Sequence, residues 1–159
     1  MVILSKVISG GQTGADKAGL DAAFECGIET GGWAPKGWLI QNASGENVSD
    51  PSLANYGLKE FPKPGYPPRT KANIQDSDGT VWFGFDQSPG GRLTINTAKR
   101  LGKPFLINPT APNLSEWILE REIKVLNIAG NRLSSFNPDI YDTTYMILIE
   151  AFNQLSPSD

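Results

Sequence analysis

The chain has no histidine and only one cysteine among its 159 residues. Without histidine, Ser-His-Asp and Cys-His catalysis are excluded, and the usual zinc sites of proteins lose a principal ligand. Cys26 has no second cysteine for an internal disulfide or a thiolate cluster, and its place near the end of a helical pattern predicts a packing role. We therefore expect no metal site built from protein side chains.

The sequence also lacks long hydrophobic runs and a large excess of either charge. No apolar stretch approaches the roughly 20 residues that cross a bilayer, and the N-terminal segment MVILSKVISG lacks the pattern of an export signal. The net charge of −3 disfavours a general nucleic-acid-binding surface. Together with the single cysteine, these features predict a cytoplasmic protein that binds neither nucleic acid nor membrane.

Short apolar runs alternate with amphipathic helical patterns along the chain. They predict strands at residues 6–9, 29–33, 80–85, 104–107 and 125–129, and helices at 14–26, up to 76, up to 102 and around 114–121. A last helix is predicted from its apolar stripe at residues 140–152. The last helix is expected to have Asn137 as its N-cap and Pro138 as its first residue. This alternation predicts an α/β fold: a Rossmann-like three-layer sandwich with a mostly parallel sheet of five or slightly more strands and helices on both faces. The length predicts one domain over residues 1–159, with a long irregular insertion at about 40–68.

Three of the predicted strands end in glycine-containing turns, SGGQTG, SPGG and AGNR. Carboxyl ends of parallel strands share one edge of a sheet, where ligands of open α/β folds bind. Gly10, Gly11 and Gly14 let the main chain approach a ligand, and the N–H groups at the start of the next helix favour an anion such as phosphate. The first turn is neither a P-loop, since Ala15 follows Gly14 where lysine is required, nor GxGxxG. A tight turn that needs glycine for steric reasons alone is the alternative.

Charged and polar side chains lie beside these turns and beside the long insertion. Arginine and lysine suit the oxygens of phosphate and other oxo-anions, hydroxyls donate to the same oxygens, and amides read the edge of a flat heterocycle. The ordinary alternatives are solvated charges, helix caps and turn residues. Two tryptophans near this region, Trp33 and Trp38, are predicted to anchor loops rather than to stack on a ligand. The predicted ligand-binding residues are Gly10, Gly11, Gln12, Thr13, Gly14, Asp16, Lys17, Lys36, Arg69, Asn73, Ser88, Gly90, Gly91, Arg92, Thr94 and Arg132.

The phrases SGGQTGADKAGLDAA, GGWAPKG, RTKANIQDSDGT, SPGGRLT, GKP and NIAGNR, in this order, resemble the molybdenum carrier family, relatives of the molybdenum cofactor carrier protein. The resemblance covers nearly the whole chain. It implies a Rossmann-like fold that binds the molybdenum cofactor, a pterin with a terminal phosphate and a dithiolene-held metal. The ligand brings its own metal, so the resemblance implies no metal ligand from the protein. It also implies a homo-oligomer, either a dimer or a tetramer.

The segment RTKANIQDSDGTVWFGFDQSPGGRLT is also similar to the cytokinin-activating phosphoribohydrolases, which cleave nucleoside 5′-monophosphates at the glycosidic bond. Arg69 matches their arginine on the helix before the strand, but the glutamate after their Pro-Gly-Gly turn is missing, since residues 92–97 contain no carboxylate. Asp16 and Asp78 are candidate substitutes, although capping and turn roles suit both. We therefore predict a non-catalytic protein, with no catalytic residue assigned, that binds molybdenum cofactor or molybdate. A nucleotide-binding sensor and a nucleoside 5′-monophosphate phosphoribohydrolase are the alternatives.

Overall fold

A computed structural model describes residues 4–155 of the chain. Its strands are β1 (Lys6–Ile8), β2 (Glu29–Ala34), β3 (Leu39–Gln41), β4 (Asn47–Ser49), β5 (Leu58–Glu60), β6 (Gly79–Phe83), β7 (Phe105–Ile107) and β8 (Val125–Gly130). Its helices are α1 (Ala15–Glu25), α2 (Tyr66–Asp76), α3 (Pro89–Arg100), α4 (Ala111–Glu120) and α5 (Ile140–Leu155), with a 3₁₀ helix over Pro51–Tyr56. Within residues 4–155, no helix is long and apolar enough to cross a membrane.

The main sheet has six strands in the order β5-β2-β1-β8-β6-β7, and all of its neighbouring strands pair in parallel. The predicted Rossmann-like α/β class is therefore confirmed, with bounds of the predicted strands that differ by one or two residues. From β1 the chain winds outward through β2 to β5, and from β6 it winds outward the other way to β7 before β8 returns to the centre. The winding direction thus reverses around β1, β8 and β6, which is where ligands bind in open parallel sheets.

The two faces of the sheet carry different helices. On one face α1, α4 and α5 pack together over the largest apolar cluster, which includes the fully buried Val81, Leu126 and Ile128 of the central strands. On the other face α2 and α3 pack against each other and reach β8. Successive residues of a strand point to opposite faces, so the polar Thr80 and Asn127, neighbours of these apolar residues, belong to the α2 and α3 side.

The prediction of an irregular insertion at about 40–68 was wrong in one respect. Part of this segment forms the antiparallel hairpin of β3 and β4, and β5 extends the main sheet by pairing with β2, so that Leu58 lies opposite Gly32. Each of these strands has only three residues. Such short strands leave no readable alternation of apolar and polar residues, and their existence is decided by tertiary pairing.

The start of the last helix also differs from the prediction. Helix α5 begins at Ile140, and Asn137 forms an isolated bridge with Ser134 in the turn before it. The N–H of Thr143 bonds to the carbonyl of Asp139 at 2.9 Å, which places the first helical hydrogen bond two residues later than an Asn137 cap would.

Candidate ligand-binding cleft

A cleft of about 590 Å³ opens at the carboxyl edge of the central strands, on the side of α2 and α3. Its floor is β8, and its walls come from the turn after β1, from α2, and from the start of α3. This volume lies within the usual range of small-molecule sites. The predicted residues that line it are Gly10, Gln12, Asp16, Arg69, Asn73, Ser88, Gly90, Thr94 and Arg132.

Four backbone N–H groups in and just after the first glycine turn are occupied within the chain. Gly11 N–H donates to Ser9 Oγ at 3.2 Å, and Gln12 N–H donates to a carboxylate oxygen of Asp16 at 3.2 Å. Thr13 N–H donates to Gln12 Oε1 at 3.0 Å, and Ala15 N–H to the carbonyl of Asn131 at 3.2 Å. The sequence predicted that these N–H groups would bind an anionic ligand. In the structure one of them, that of Gln12, donates to the Asp16 carboxylate instead.

Three predicted ligand-binding side chains hold the β3–β4 hairpin instead. Gln12 Oε1 accepts from the N–H of Gln41 at 2.7 Å, and the Thr13 hydroxyl donates to the Gln41 carbonyl at 2.7 Å. Arg132 Nη1 donates to the carbonyl of Asn42 at 3.3 Å. These contacts place Gln41 at the rim of the cleft, so that the hairpin forms part of its wall.

The N-terminus of α3 faces the cleft. Ser88 is the N-cap, and its hydroxyl accepts from the N–H of Gly91 at 3.2 Å and from Asn131 Nδ2 at 3.3 Å. A Cβ added to Gly90 would lie 3.8 Å from Trp82 Cη2 with no closer neighbour, so this glycine leaves space on the cleft side. A Cβ on Gly91 would overlap the carbonyl of Asp86, so Gly91 is needed for the turn itself.

Arg69 and Asp16 form a buried pair on the opposite wall. Arg69 is 8% exposed and Asp16 5% exposed, and Arg69 Nη1 lies 3.7 Å from Asp16 Oδ2. Within residues 4–155 the Arg69 guanidinium makes no hydrogen bond, and its Nε is fully enclosed. Gly10 makes this packing possible, because a Cβ there would overlap the guanidinium. The two opposite charges interact strongly because the environment has a low dielectric constant.

Burial raises the pKa of Asp16 from its ordinary 3.8 to about 6, against the opposing effects of Arg69 and of the backbone N–H groups of Gln12 and Gly10. Burial likewise lowers the pKa of Arg69, against the effect of Asp16, but an arginine stays protonated at neutral pH. Asp16 therefore exchanges its proton closer to neutrality than an ordinary carboxyl does.

The raised pKa of Asp16 should make the free energy of unfolding depend on pH. A carboxyl that holds its proton more tightly when folded favours the folded state at low pH, and this advantage is lost as the pH rises from 3.8 through about 6. We expect the free energy of unfolding of the wild type, relative to Asp16→Asn, to fall by about 2 kcal/mol between about pH 4 and about pH 7. Urea unfolding of both proteins across this range measures the difference. A difference that grows with pH would mean that Arg69 outweighs the burial of Asp16.

Seven of the predicted residues do not line the cleft, and Asn73, which does line it, has its amide occupied. Lys17 Nζ bonds to Asp21 and to the Tyr56 hydroxyl, at 3.1 and 2.9 Å, on the outer side of α1. Lys36 and Arg92 are exposed. Asn73 does line the cleft, but its amide is used by the backbone of Trp33, through bonds of 2.8 and 3.1 Å. The residues outside the lining are Gly11, Thr13, Gly14, Lys17, Lys36, Gly91 and Arg92.

Several residues of the cleft lie inside strands or just after them and were not predicted from the sequence. Trp82 is 4% exposed, and its indole Nε1 has no partner within the described residues. Asn127 is buried and donates to the Thr80 hydroxyl at 3.2 Å. Asn131 joins the turns after β6 and β8, since its Oδ1 accepts from Phe85 N–H at 2.5 Å. The sequence feature that could have indicated this site is the asparagine inside the apolar run VLNIAG. A buried strand tolerates an asparagine only when its amide is hydrogen-bonded.

This architecture is that of a Rossmann-like α/β protein with a ligand-sized cleft at the point where the winding reverses. The chain belongs to the Circularly permutated YpsA SLOG family, whose pattern it matches over residues 7–152. It is also similar to the crystal structure of a "Putative molybdenum carrier protein" from Syntrophus aciditrophicus SB, with 38% sequence identity, a TM-score of 0.79, and coverage of 94% of this chain and 95% of that chain. The family resemblance predicted from the sequence is thereby confirmed. No curated protein matches the chain.

Proposed function

We propose that this protein binds and carries the molybdenum cofactor, or molybdate, in the cleft between α2 and α3. The observation that carries the proposal is the open N-terminus of α3 at Gly90, which faces a cleft of about 590 Å³ beside the buried cation of Arg69. A helix N-terminus and a guanidinium both favour phosphate and other oxo-anions. The similarity to a protein named as a molybdenum carrier supports molybdenum as part of the cargo.

The cargo supplies its own metal under this proposal. Within residues 4–155 there is no group of three or more His, Cys, Asp or Glu side chains that could hold a metal ion. The cleft would instead hold the organic part of the cofactor and its anionic groups. Trp82 and Leu93 give the middle of the cleft an apolar surface suited to a flat heterocycle.

The enzyme alternative has one observation in its favour. Asp16 is the carboxylate among the residues that line the cleft, and its pKa of about 6 is close to that of an effective general acid or base at neutral pH. It lies beside Arg69, the residue that matches the phosphoribohydrolase arginine. Asp78 does not share this position, because it bonds to the N–H groups of Lys124 and Val125 where β6 and β8 begin. Cleavage of a nucleoside 5′-monophosphate is therefore the second candidate function.

Analysis of the copurifying ligand tests the first proposal. The protein, purified from a molybdenum-replete host and from a molybdenum-depleted one, is measured by native mass spectrometry, metal analysis and absorbance. We expect a bound species of the cofactor's mass, with near-stoichiometric molybdenum, only from the replete host. Binding of a nucleotide in place of any molybdenum species would contradict the proposal.

Incubation with nucleoside 5′-monophosphates tests the second candidate. Release of free base by the wild type, and at least a ~100-fold slower release by Asp16→Asn, would establish the hydrolase with Asp16 as its acid or base. We expect no release by either protein. A nucleotide that binds without turnover would instead identify the sensor.

We further propose that the carrier acts in the cytoplasm as a homodimer or homotetramer, as the family resemblance implies. Light scattering on the purified chain measures the assembly, and a monomer at micromolar concentration would contradict this part.

A further inference from the structure

The cleft has two separate sources of positive potential. One is the Arg69 guanidinium, which lies over Gly10 after β1. The other is the N-terminus of α3 at Gly90, which lies over Trp82 of β6. Strand β8 lies between β1 and β6 in the sheet, and neighbouring strands are about 4.8 Å apart, so the two strands that lead to these sources lie about 10 Å apart.

The buried guanidinium of Arg69 lacks the hydrogen-bond acceptors that a buried arginine normally has. It is 8% exposed, and none of its nitrogens forms a hydrogen bond within the described residues. Its neighbour Asp16 approaches one terminal nitrogen at 3.7 Å, beyond hydrogen-bond distance, and that carboxylate already accepts from Gln12 N–H. The ring of Tyr66 lies 5.5 Å from the guanidinium carbon and adds a contact without an acceptor. Buried guanidinium groups are normally bonded on several nitrogens.

We propose that the cleft recognises a ligand with an anionic group at each end, one on Arg69 and one on the N-terminus of α3, joined by a flat or apolar middle. This inference rests on the proposed function, because it concerns the same cleft and narrows its ligand class. A phosphorylated pterin with a metal oxo-anion at its other end has this charge pattern. A nucleoside 5′-monophosphate has a phosphate at one end and an uncharged base at the other, and it would leave one of the two sources without an anion.

The floor between the two sources fits such a ligand. It is formed by β8, where Asn127 and Ala129 contribute to an uncharged surface. The Trp82 indole borders it beside Gly90, and its Nε1 is buried without an acceptor.

Tungstate tests the two anion positions without knowledge of the natural ligand. Crystals of the full chain are soaked in sodium tungstate, and the anomalous signal of tungsten locates each bound anion. We expect two peaks in the wild type, one against Arg69 and one against Ser88 and Gly90. Calorimetric titration is expected to give two anions per chain. A single peak, or no peak against Arg69, would overturn the inference.

Variants assign the two positions separately. Arg69→Met is expected to lose the first peak, with at least ~30-fold weaker binding there, and to keep the second. Gly90→Val is expected to lose the second peak and keep the first. Arg69→Lys keeps the positive charge but lacks the paired N–H donors of the guanidinium, so it should bind tungstate at reduced affinity. This variant tests the first position if Arg69→Met does not fold. Two peaks retained in either Arg69→Met or Gly90→Val would contradict the assignment.

The outcomes separate this inference from the proposed function. If a molybdenum species copurifies but tungstate fills one position, the carrier function stands and the two-anion ligand fails. If tungstate fills both positions while the copurifying ligand lacks molybdenum, the ligand class stands and the carrier function fails.

Discussion

Gly14→Ala is expected to lower the free energy of unfolding by about 3 kcal/mol or more, through backbone strain and overpacking. Gly14 has φ 86° and ψ −128°, a conformation that side chains with a Cβ rarely adopt. A Cβ there would also lie 2.5 Å from the carbonyl oxygen of Asn131 and 2.7 Å from the nitrogen of Leu133. These neighbours are backbone atoms and have no rotamer by which to move away. Urea unfolding of the variant measures the loss.

Gly27→Ala at the other end of α1 is the matched control. Gly27 has φ 71°, but a Cβ there would meet no atom within 4 Å. Its substitution should therefore cost only the backbone term, about 1 kcal/mol. Equal losses in the two variants would mean that the turn after β1 does not pack against the turn after β8 as closely as described.

Gly90→Val is expected to reduce ligand retention at least ~10-fold, a loss of about 1.4 kcal/mol or more in binding free energy. Gly90 is in the first turn of α3, and its missing Cβ faces the space beside Trp82. The two methyl groups of valine would fill the place where an anion approaches the helix N-terminus. A β-branched residue in a first helical turn costs well under about 1 kcal/mol of stability, so folding should be preserved.

Asn96→Val on the same helix is the control for this effect. Asn96 is exposed and is not among the residues that line the cleft, so the same new side chain there should leave ligand retention unchanged. Retention is measured as the molar ratio of copurified ligand to protein, together with the unfolding midpoint of each variant. Full retention by Gly90→Val would show that the N-terminus of α3 is not part of the site.

The same two glycines show how far sequence reasoning reaches into the site. Gly14 and Gly90 were both predicted to approach a ligand, since both follow a strand and begin a helix. In the structure Gly14 packs against the backbone of the turn after β8, whereas Gly90 leaves open space in the cleft. Glycine in a turn indicates that a Cβ is not tolerated, but whether another part of the chain or a ligand fills the space depends on distant residues.

Arg69 illustrates the opposite case. Its position on a helix before a strand could be read from the sequence, and so could its charge. The sequence could not show that the Arg69 guanidinium is buried over Gly10 without a hydrogen bond. The reason is that only the crossover of the sheet brings α2 next to the turn after β1. Gln12, Thr13 and Arg132 were predicted as ligand-binding residues by the same logic, yet they hold the β3–β4 hairpin.

The sequence by itself determined the α/β class, the edge of the sheet at which the cleft opens, and the family. These properties follow from local patterns: apolar runs that alternate with helical ones, and glycines directly after strands. Only the tertiary structure decided which of the turns stays open, since four backbone N–H groups of the first donate to Ser9, Asp16, Gln12 and Asn131. The physical reason is that a hydrogen-bond donor is available to a ligand only if no acceptor elsewhere in the folded chain has reached it first.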